Sequence, residues 1–363
     1  MSAGPPDPAP PAPFERLALV GLGLIGSSVA HAARRSGAAR EIVGFARSEA
    51  TRATARRLGF CDHVSESAAD AVKGADCVIV SVPVGASGAV AREVAPALAP
   101  GAILTDVGSV KAEVVAAMAP HVPPGVHFVP GHPLAGTEHS GPEAGFAELF
   151  ENRWVILTPA EGDPPAPVAR LSGFWRALGA LVTEMTPEHH DLVLAVTSHV
   201  PHAIAYTMVG VADDLARVTD SEVVKFSAAG FRDFTRIAAS DPVMWRDVFL
   251  NNREATLDIL GRFTEELYEL RRAIRTGDGP WLEAYFTRTR AVRRSIIEAG
   301  QDTAAPNFGR APSASGERAG TDTASSARRR PDDRSGSATL PPSAADTEPL
   351  SVPADTRRAA QKG

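Results

Sequence analysis

The chain has 363 residues, a formal net charge of −6, 44% hydrophobic and 22% charged residues, a globular composition with enough apolar side chains for two cores. The acidic balance supplies no basic field for nucleic acid, and the Arg328-Arg329-Arg330 cluster reads as a solvated charge run. No charged-then-apolar leader is visible, no segment reads as apolar over the roughly 18 residues that a membrane span needs, and the two cysteines, Cys61 and Cys77, suit a reducing cytoplasm with one disulfide left open.

Residues 1–13 are Pro-rich without periodicity and are expected to be disordered. Leu17 to Val20 then form a buried strand that runs straight into Gly21-Leu22-Gly23-Leu24-Ile25-Gly26, a Gly-x-Gly-x-x-Gly turn, and into an Ala-rich helix from Ser27 to Ser36. In such a turn the first glycine makes the bend, the second lets backbone approach a pyrophosphate, and the third lets helix pack on strand. Gly21, Gly23, Leu24, Ile25 and Gly26 are therefore assigned to a dinucleotide, whose phosphates would face the helix N-terminus.

A second strand, Glu41 to Phe45, ends on Ala46-Arg47-Ser48. NAD-binding units carry an acid at this tip for the ribose hydroxyls, whereas an Arg suits the 2′-phosphate of NADP. With no acid before Glu49, Arg47 and Ser48 favour NADP over NAD; the plainer reading is a surface Arg beside a helix N-cap Ser.

Helix and strand go on alternating: helix Ser48–Leu58, strand Asp76–Pro83, helix Gly85–Leu98, strand Ala102–Val107, helix Val110–Met118, strands Val126–Val129 and Trp154–Thr158. This predicts an α/β, doubly wound parallel sheet over residues 14–160. Its carboxyl-end loops would meet at one cleft: Val82-Pro83-Val84, with Val82 and Pro83 beside the cofactor, then Asp106 to Lys111, then Gly131 to Glu138. Residues 161–300 change to long helices. Asp241 with Pro242 starts one, and the stripe Leu260, Phe263, Leu267, Leu270, Ile274 carries it to Arg275. So much apolar helix predicts an all-α dimerisation domain, followed by a disordered low-complexity tail over 301–363.

His132, between Gly131 and Pro133 at a strand end, is the candidate proton acceptor; the alternative is a His that caps a turn. On the first long helix Ser198 and His202 share a face, and Pro201 should kink the helix between its turns and free a carbonyl. His189, His190, His199 and His202 lack zinc-ligand spacing, so no metal is expected. Arg232 and Arg236, among Phe231 and Phe234, form either a carboxylate clamp or a buried ion pair with Asp233.

Six motifs in order, Gly21 to Ser28, Asp106 to Lys111, Gly131 to Gly141, Thr197 to His202, Gly230 to Ala238 and Asp241 to Asp247, resemble the prephenate/arogenate dehydrogenases of tyrosine biosynthesis across about Arg16 to Ala299. The resemblance implies an N-terminal Rossmann-type domain and oxidative decarboxylation of a cyclohexadienyl acid with hydride transfer to NAD(P). It places the catalytic base on His132 and its orienting serine on Ser109. It gives Ser198 a place near nicotinamide and substrate, His202 the substrate side chain, Arg236 the carboxylate, Glu138 a gate, and Trp245 a pocket wall. The runners-up are a β-hydroxyacid dehydrogenase of similar build and a non-catalytic NADP-binding sensor.

Overall fold

A computed structural model describes residues 13–137, 139–216 and 228–298; the expected tails, Pro13 apart, lie outside the described residues. The apolar run Phe14–Val20 forms β1, at the centre of a six-stranded parallel sheet. Strands buried on both faces are near-continuous hydrophobic runs, as here, because helices cover each side. In chain order the elements are α1 (Leu24–Ser36), β2 (Ala39–Phe45), α2 (Glu49–Leu58), β3 (His63–Val64), α3 (Ala68–Val72), β4 (Cys77–Val80), α4 (Ser87–Val94), β5 (Ile103–Asp106), α5 (Ala112–Met118) and β6 (His127–Phe128). The strand order is β3-β2-β1-β4-β5-β6, all parallel. The chain turns outward in opposite directions from β1 and β4, so the carboxyl ends of these two strands flank the topological switch point, where ligands of such sheets bind.

The expected strand 76–83 shortens to Cys77–Val80, and the expected helix 85–98 is α4 flanked by tight turns at Val84–Ala86 and Ala95–Ala97. Pro96, without an N–H, supports the second of these turns.

A smaller sheet holds the second layer: β7 (Gly131–Pro133), β8 (Trp154–Leu157) and β9 (Leu181–Glu184), with α6 (Pro165–Ala177) between the last two. His132 thus sits inside a strand, opposite Ile156 of an antiparallel partner, where the sequence suggested a loop. Phe174 of α6 packs tilted on Phe14 at 5.3 Å, and Trp175 packs edge-on with Phe150 and Phe174 at 5.3 and 5.6 Å. All four are fully buried, each stabilising by about 1.5–3 kcal/mol. Residues up to 184 are therefore built into the N-terminal layers, beyond the boundary at 160 suggested by the Pro-rich loop.

The helical part is α7 (Pro187–Leu194), a π-helical turn (Ala195–His199), α8 (Val200–Ala216), α9 (Ala229–Thr235), α10 (Pro242–Asn251), α11 (Arg253–Thr276) and α12 (Gly279–Glu298). The kink expected at Pro201 takes the form of the π turn, in which the Val200 N–H reaches five residues back to the Ala195 carbonyl. Asp241 caps α10 by accepting from the N–H groups of Val243 and Met244 at 2.8 and 3.0 Å. The single helix expected from Asp241 to Arg275 is two helices, because Asn252 leaves helical geometry (φ −112°, ψ 46°) and turns its side chain inward.

One exclusion is overturned. Pro187–Leu215, 29 residues, is long and apolar enough by composition to cross a membrane. Leu192, Val196, Met208, Val211 and Leu215 stand exposed along it, as do Leu257, Leu267 and Ile274 of α11.

Candidate active site

The glycine turn is shaped by two clashes and one opening. At Gly21 (φ 106°) a Cβ would lie 2.2 Å from the Ser81 carbonyl oxygen, and at Gly26 it would lie 2.1 Å from the Gly21 oxygen. Those two glycines are required by packing of strand, turn and helix. At Gly23 a Cβ would meet no protein atom within 4 Å, so the protein itself has no need of a glycine there. The first turn of α1 has neither a side-chain cap nor an acidic residue, which leaves its N–H groups and positive dipole end available to an anion. The residues present therefore fit a dinucleotide phosphate at this point. Leu24 and Ile25, half-buried, pack on the core behind it.

The loops after β4 and β5 lie next to this turn. A Cβ at Gly21 would touch Val82, and one at Gly108 would touch Val84 and the Asp106 carboxylate; Pro83, between them, is exposed. At the tip of β2 both Arg47 and Ser48 are exposed, and the Ser48 hydroxyl makes no cap bond to α2. The nearest acid, Glu49, is committed to Arg52 and Arg56 at 2.6 and 2.9 Å.

The floor of the cleft is a buried polar network. Lys111 Nζ, with no exposed surface, pairs with the Asp106 carboxylate and donates to the Gly131 carbonyl at 2.7 Å. Asp106 in turn accepts from the N–H groups of Gly108 at 2.7 Å and Gly131 at 3.2 Å. The strand carrying His132 is thereby fixed to the end of β5. His132 Nδ1 lies 2.8 Å from His190 Nε2, and His190 Nδ1 lies 2.8 Å from an Asp191 oxygen. Asp191 also accepts from the N–H groups of Lys111 (2.7 Å) and Ala112 (2.9 Å), capping α5 from the helical domain.

Burial holds the His132 imidazole well below its ordinary pKa, reinforced by His190, Lys111 and His199. Burial likewise pulls His190 down and brings His199 to about 4. All three rings are therefore neutral at pH 7. Asn252 donates from one amide nitrogen to the Asp191 carbonyl (2.8 Å) and to His199 Nδ1 (3.0 Å).

The rim comes from the helical domain. His202 Nδ1 donates to the Ser198 carbonyl at 2.8 Å, and its ring stacks on Trp245 at 3.7 Å. Burial lowers the His202 pKa, its bond to the Ser198 carbonyl opposes this, and the Arg236 charge lowers it further. Trp245 is buried in the apolar cluster of its own chain that includes Val84 and Val110. Ser109 and Ser198 are half-buried and Arg236 is exposed. Arg232, not Arg236, pairs with Asp233, at 3.6 Å and on the surface, so the buried-pair option for this motif is not what the structure shows. Glu138 lies outside the described residues.

Sequence reasoning passed over Lys111, Asp106, His190, Asp191, His199 and Asn252 as site residues. The signal for the first two was their place in the Asp106 to Lys111 motif; His190 was weighed only as a zinc ligand. Among the described residues no group of three His, Cys, Asp or Glu is placed to hold a metal. Cys61 and Cys77 are both free and buried.

Residues 29–184 match the family described as prephenate dehydrogenase, nucleotide-binding domain, and residues 186–288 match prephenate dehydrogenase, dimerization domain. The sequence is 42% identical to the cyclohexadienyl dehydrogenase of Zymomonas mobilis over 78% of this chain and 96% of that one. Among solved structures, the prephenate dehydrogenase of Aquifex aeolicus in complex with hydroxyphenyl propionate and NAD+ superposes with a TM-score of 0.73 at 34% identity, covering 78% of this chain and 98% of the other. An arogenate dehydrogenase from Synechocystis gives 0.67 at 26% identity, over 77% and 99%.

The glycine geometry makes a direct prediction. Gly23→Ala should keep its melting temperature to within a few degrees while dinucleotide affinity in a fluorescence titration falls by about tenfold or more. Unchanged affinity would contradict a ligand at that opening.

Proposed function

The chain belongs to the prephenate dehydrogenase family, and from that premise we propose that it carries out the oxidative decarboxylation of prephenate, of arogenate, or of both, with NAD(P). The observation that carries this reading is a buried imidazole, His132, held below its ordinary pKa on a strand that Lys111 and Asp106 tie to the carboxyl end of β5. A proton acceptor must be unprotonated to act, and burial among cationic and imidazole neighbours keeps it so.

When bound, the dinucleotide supplies the hydride acceptor. Gly21, Gly23, Gly26 and the first turn of α1 would hold its pyrophosphate, with Leu24, Ile25, Val82 and Pro83 bordering it. His132 takes the proton of the ring hydroxyl as hydride leaves the same carbon. Loss of CO2 from the quaternary ring carbon then aromatises the ring, and His132 returns its proton to the phenolate oxygen. That balance gives 4-hydroxyphenylpyruvate from prephenate and tyrosine from arogenate, and aromatisation makes the step irreversible. Ser109, half-buried beside this floor, would contact the hydroxyl. Arg236 would neutralise a substrate carboxylate, as an exposed guanidinium at the rim can. His202, stacked on Trp245, would meet the substrate side chain near Ser198.

NADP is the better fit to the tip of β2: Arg47 and Ser48 are uncommitted there, while Glu49 is drawn away by two arginines. The exposed apolar faces of α7, α8 and α11 fit a homodimer, in line with the dimerization-domain match. Light scattering should then give twice the 38.0 kDa chain mass, and a monomer at micromolar concentration would oppose it. A β-hydroxyacid dehydrogenase would carry a lysine base on the first long helix, and residues 187–216 contain no lysine.

His132→Asn should lower kcat by about 10²–10⁴-fold with cofactor binding intact, and near-parental turnover would exclude the residue as base. Arg236→Gln should act chiefly on KM, by roughly 10–100-fold for a lost charged hydrogen bond; an unchanged KM would remove it from the substrate. The same assays run with both acids and both cofactors should favour NADP over NAD in kcat/KM, and a preference for NAD would refute the role given to Arg47.

A further inference from the structure

We propose that His190 and Asp191 are positioning residues for the reaction. Asp191 fixes the tautomer of His190, His190 fixes that of His132, and the Nε2 lone pair of His132 is thereby presented to the cleft. The inference rests on His132 being the base and adds what orients it.

The chain of donors allows only one arrangement. Asp191 accepts from two backbone N–H groups, those of Lys111 and Ala112. Its remaining neighbour at hydrogen-bond distance is His190 Nδ1, 2.8 Å from Oδ1. An ionised carboxylate only accepts, so His190 Nδ1 carries the proton. A neutral ring has a single N–H, and His190 Nε2 is therefore an acceptor. The atom 2.8 Å from it is His132 Nδ1, which must donate, so His132 in turn keeps its Nε2 unprotonated. When His132 gains the substrate proton, its Nδ1–H already points toward the Asp191 charge through one intervening imidazole, and the new cation is stabilised without rearrangement.

The components are rigid. His190 and Asp191 are buried, and their helix α7 is started by Thr186, which accepts from the His189 N–H at 3.2 Å. Lys111 fixes the far side through Gly131, the residue before His132. A wrong tautomer would present an N–H where a lone pair is needed; in the Ser-His-Asp triads the comparable inversion costs about 10⁴ in kcat.

Asp191→Ala tests this in the full-length enzyme. Oδ1 of Asp191 accepts from both the Lys111 N–H and His190 Nδ1, and Oδ2 from the Ala112 N–H, so an Asn would keep the His190 bond, whereas Ala removes the acceptor and frees both imidazoles to take either tautomer. The expected result is a fall in kcat of about 10²–10⁴-fold with KM values within about threefold. In ¹⁵N spectra of the cofactor-free protein, His132 Nε2 should shift from a pyridine-type toward a pyrrole-type nitrogen. A kcat within about threefold of the parent, or an unmoved His132 tautomer, would overturn the proposal. His190→Gln, whose carbonyl can still accept from His132 Nδ1, should retain far more activity than His190→Leu, and equal losses in the two would also overturn it. The spectra are read without turnover, so they separate failure of this relay from failure of His132 as the base.

Discussion

The buried Lys111–Asp106 pair is the constraint on which the rest of the site depends. Two charges withdrawn from water are costly unless every lone pair and proton is used, and here they are nearly all used. Asp106 holds two backbone N–H groups besides the ammonium, and Lys111 holds a backbone carbonyl besides the carboxylate. The partners of that satisfaction are the loop after β5 and the first residue of β7. Solvating the pair would therefore release the strand that carries His132, which is how a buried ion pair governs the placement of that ring.

The helical domain completes the site by reaching into the nucleotide-side layers at two points. Asp191 caps α5, and Trp245 with Val248 joins the apolar cluster that includes Val80, Val84 and Val110, while within the helical domain Asn252 ties α7 to His199. Two local irregularities make this possible. The π turn over Ala195–His199 precedes the Ser198–His202 face of α8, where the Ser198 carbonyl accepts from His202, and the break at Asn252 turns an amide inward where a continuous helix would have carried it past. Irregular turns of this kind recur at functional sites because they re-aim side chains at a modest cost in helix hydrogen bonding.

Much of this was legible in the sequence for identifiable reasons. Gly21 and Gly26 announced the dinucleotide turn because the steric demands of that bend exclude other residues, Gly23 did so because it leaves room for a ligand where the protein needs no glycine, and the Asp241-Pro242 pair announced a helix start through capping alone. β3 and α3 escaped because two-residue and five-residue elements have no periodicity to read, and α6 and β9 because the Pro-rich loop before them looked like a boundary. His132 was found as a residue but misplaced in a loop, since a three-residue strand beside Pro133 carries no strand signal. The relay through His190 was beyond reach: its members are 58 residues apart and meet only when the two domains pack. The apolar composition of Pro187–Leu215, interrupted by His and Asp, concealed a helix of membrane length.

The central claim is that the fold keeps His132 neutral and ready to accept a proton, and the pH dependence of kcat/KM tests it most directly. A required base acts only when unprotonated, so activity is lost as pH falls through its pKa. Because burial lowers the His132 pKa from 6.5, the account predicts a profile flat through neutrality with an acid limb well below pH 6.5, removed together with turnover in His132→Asn. An acid limb at or above pH 6.5 would contradict it.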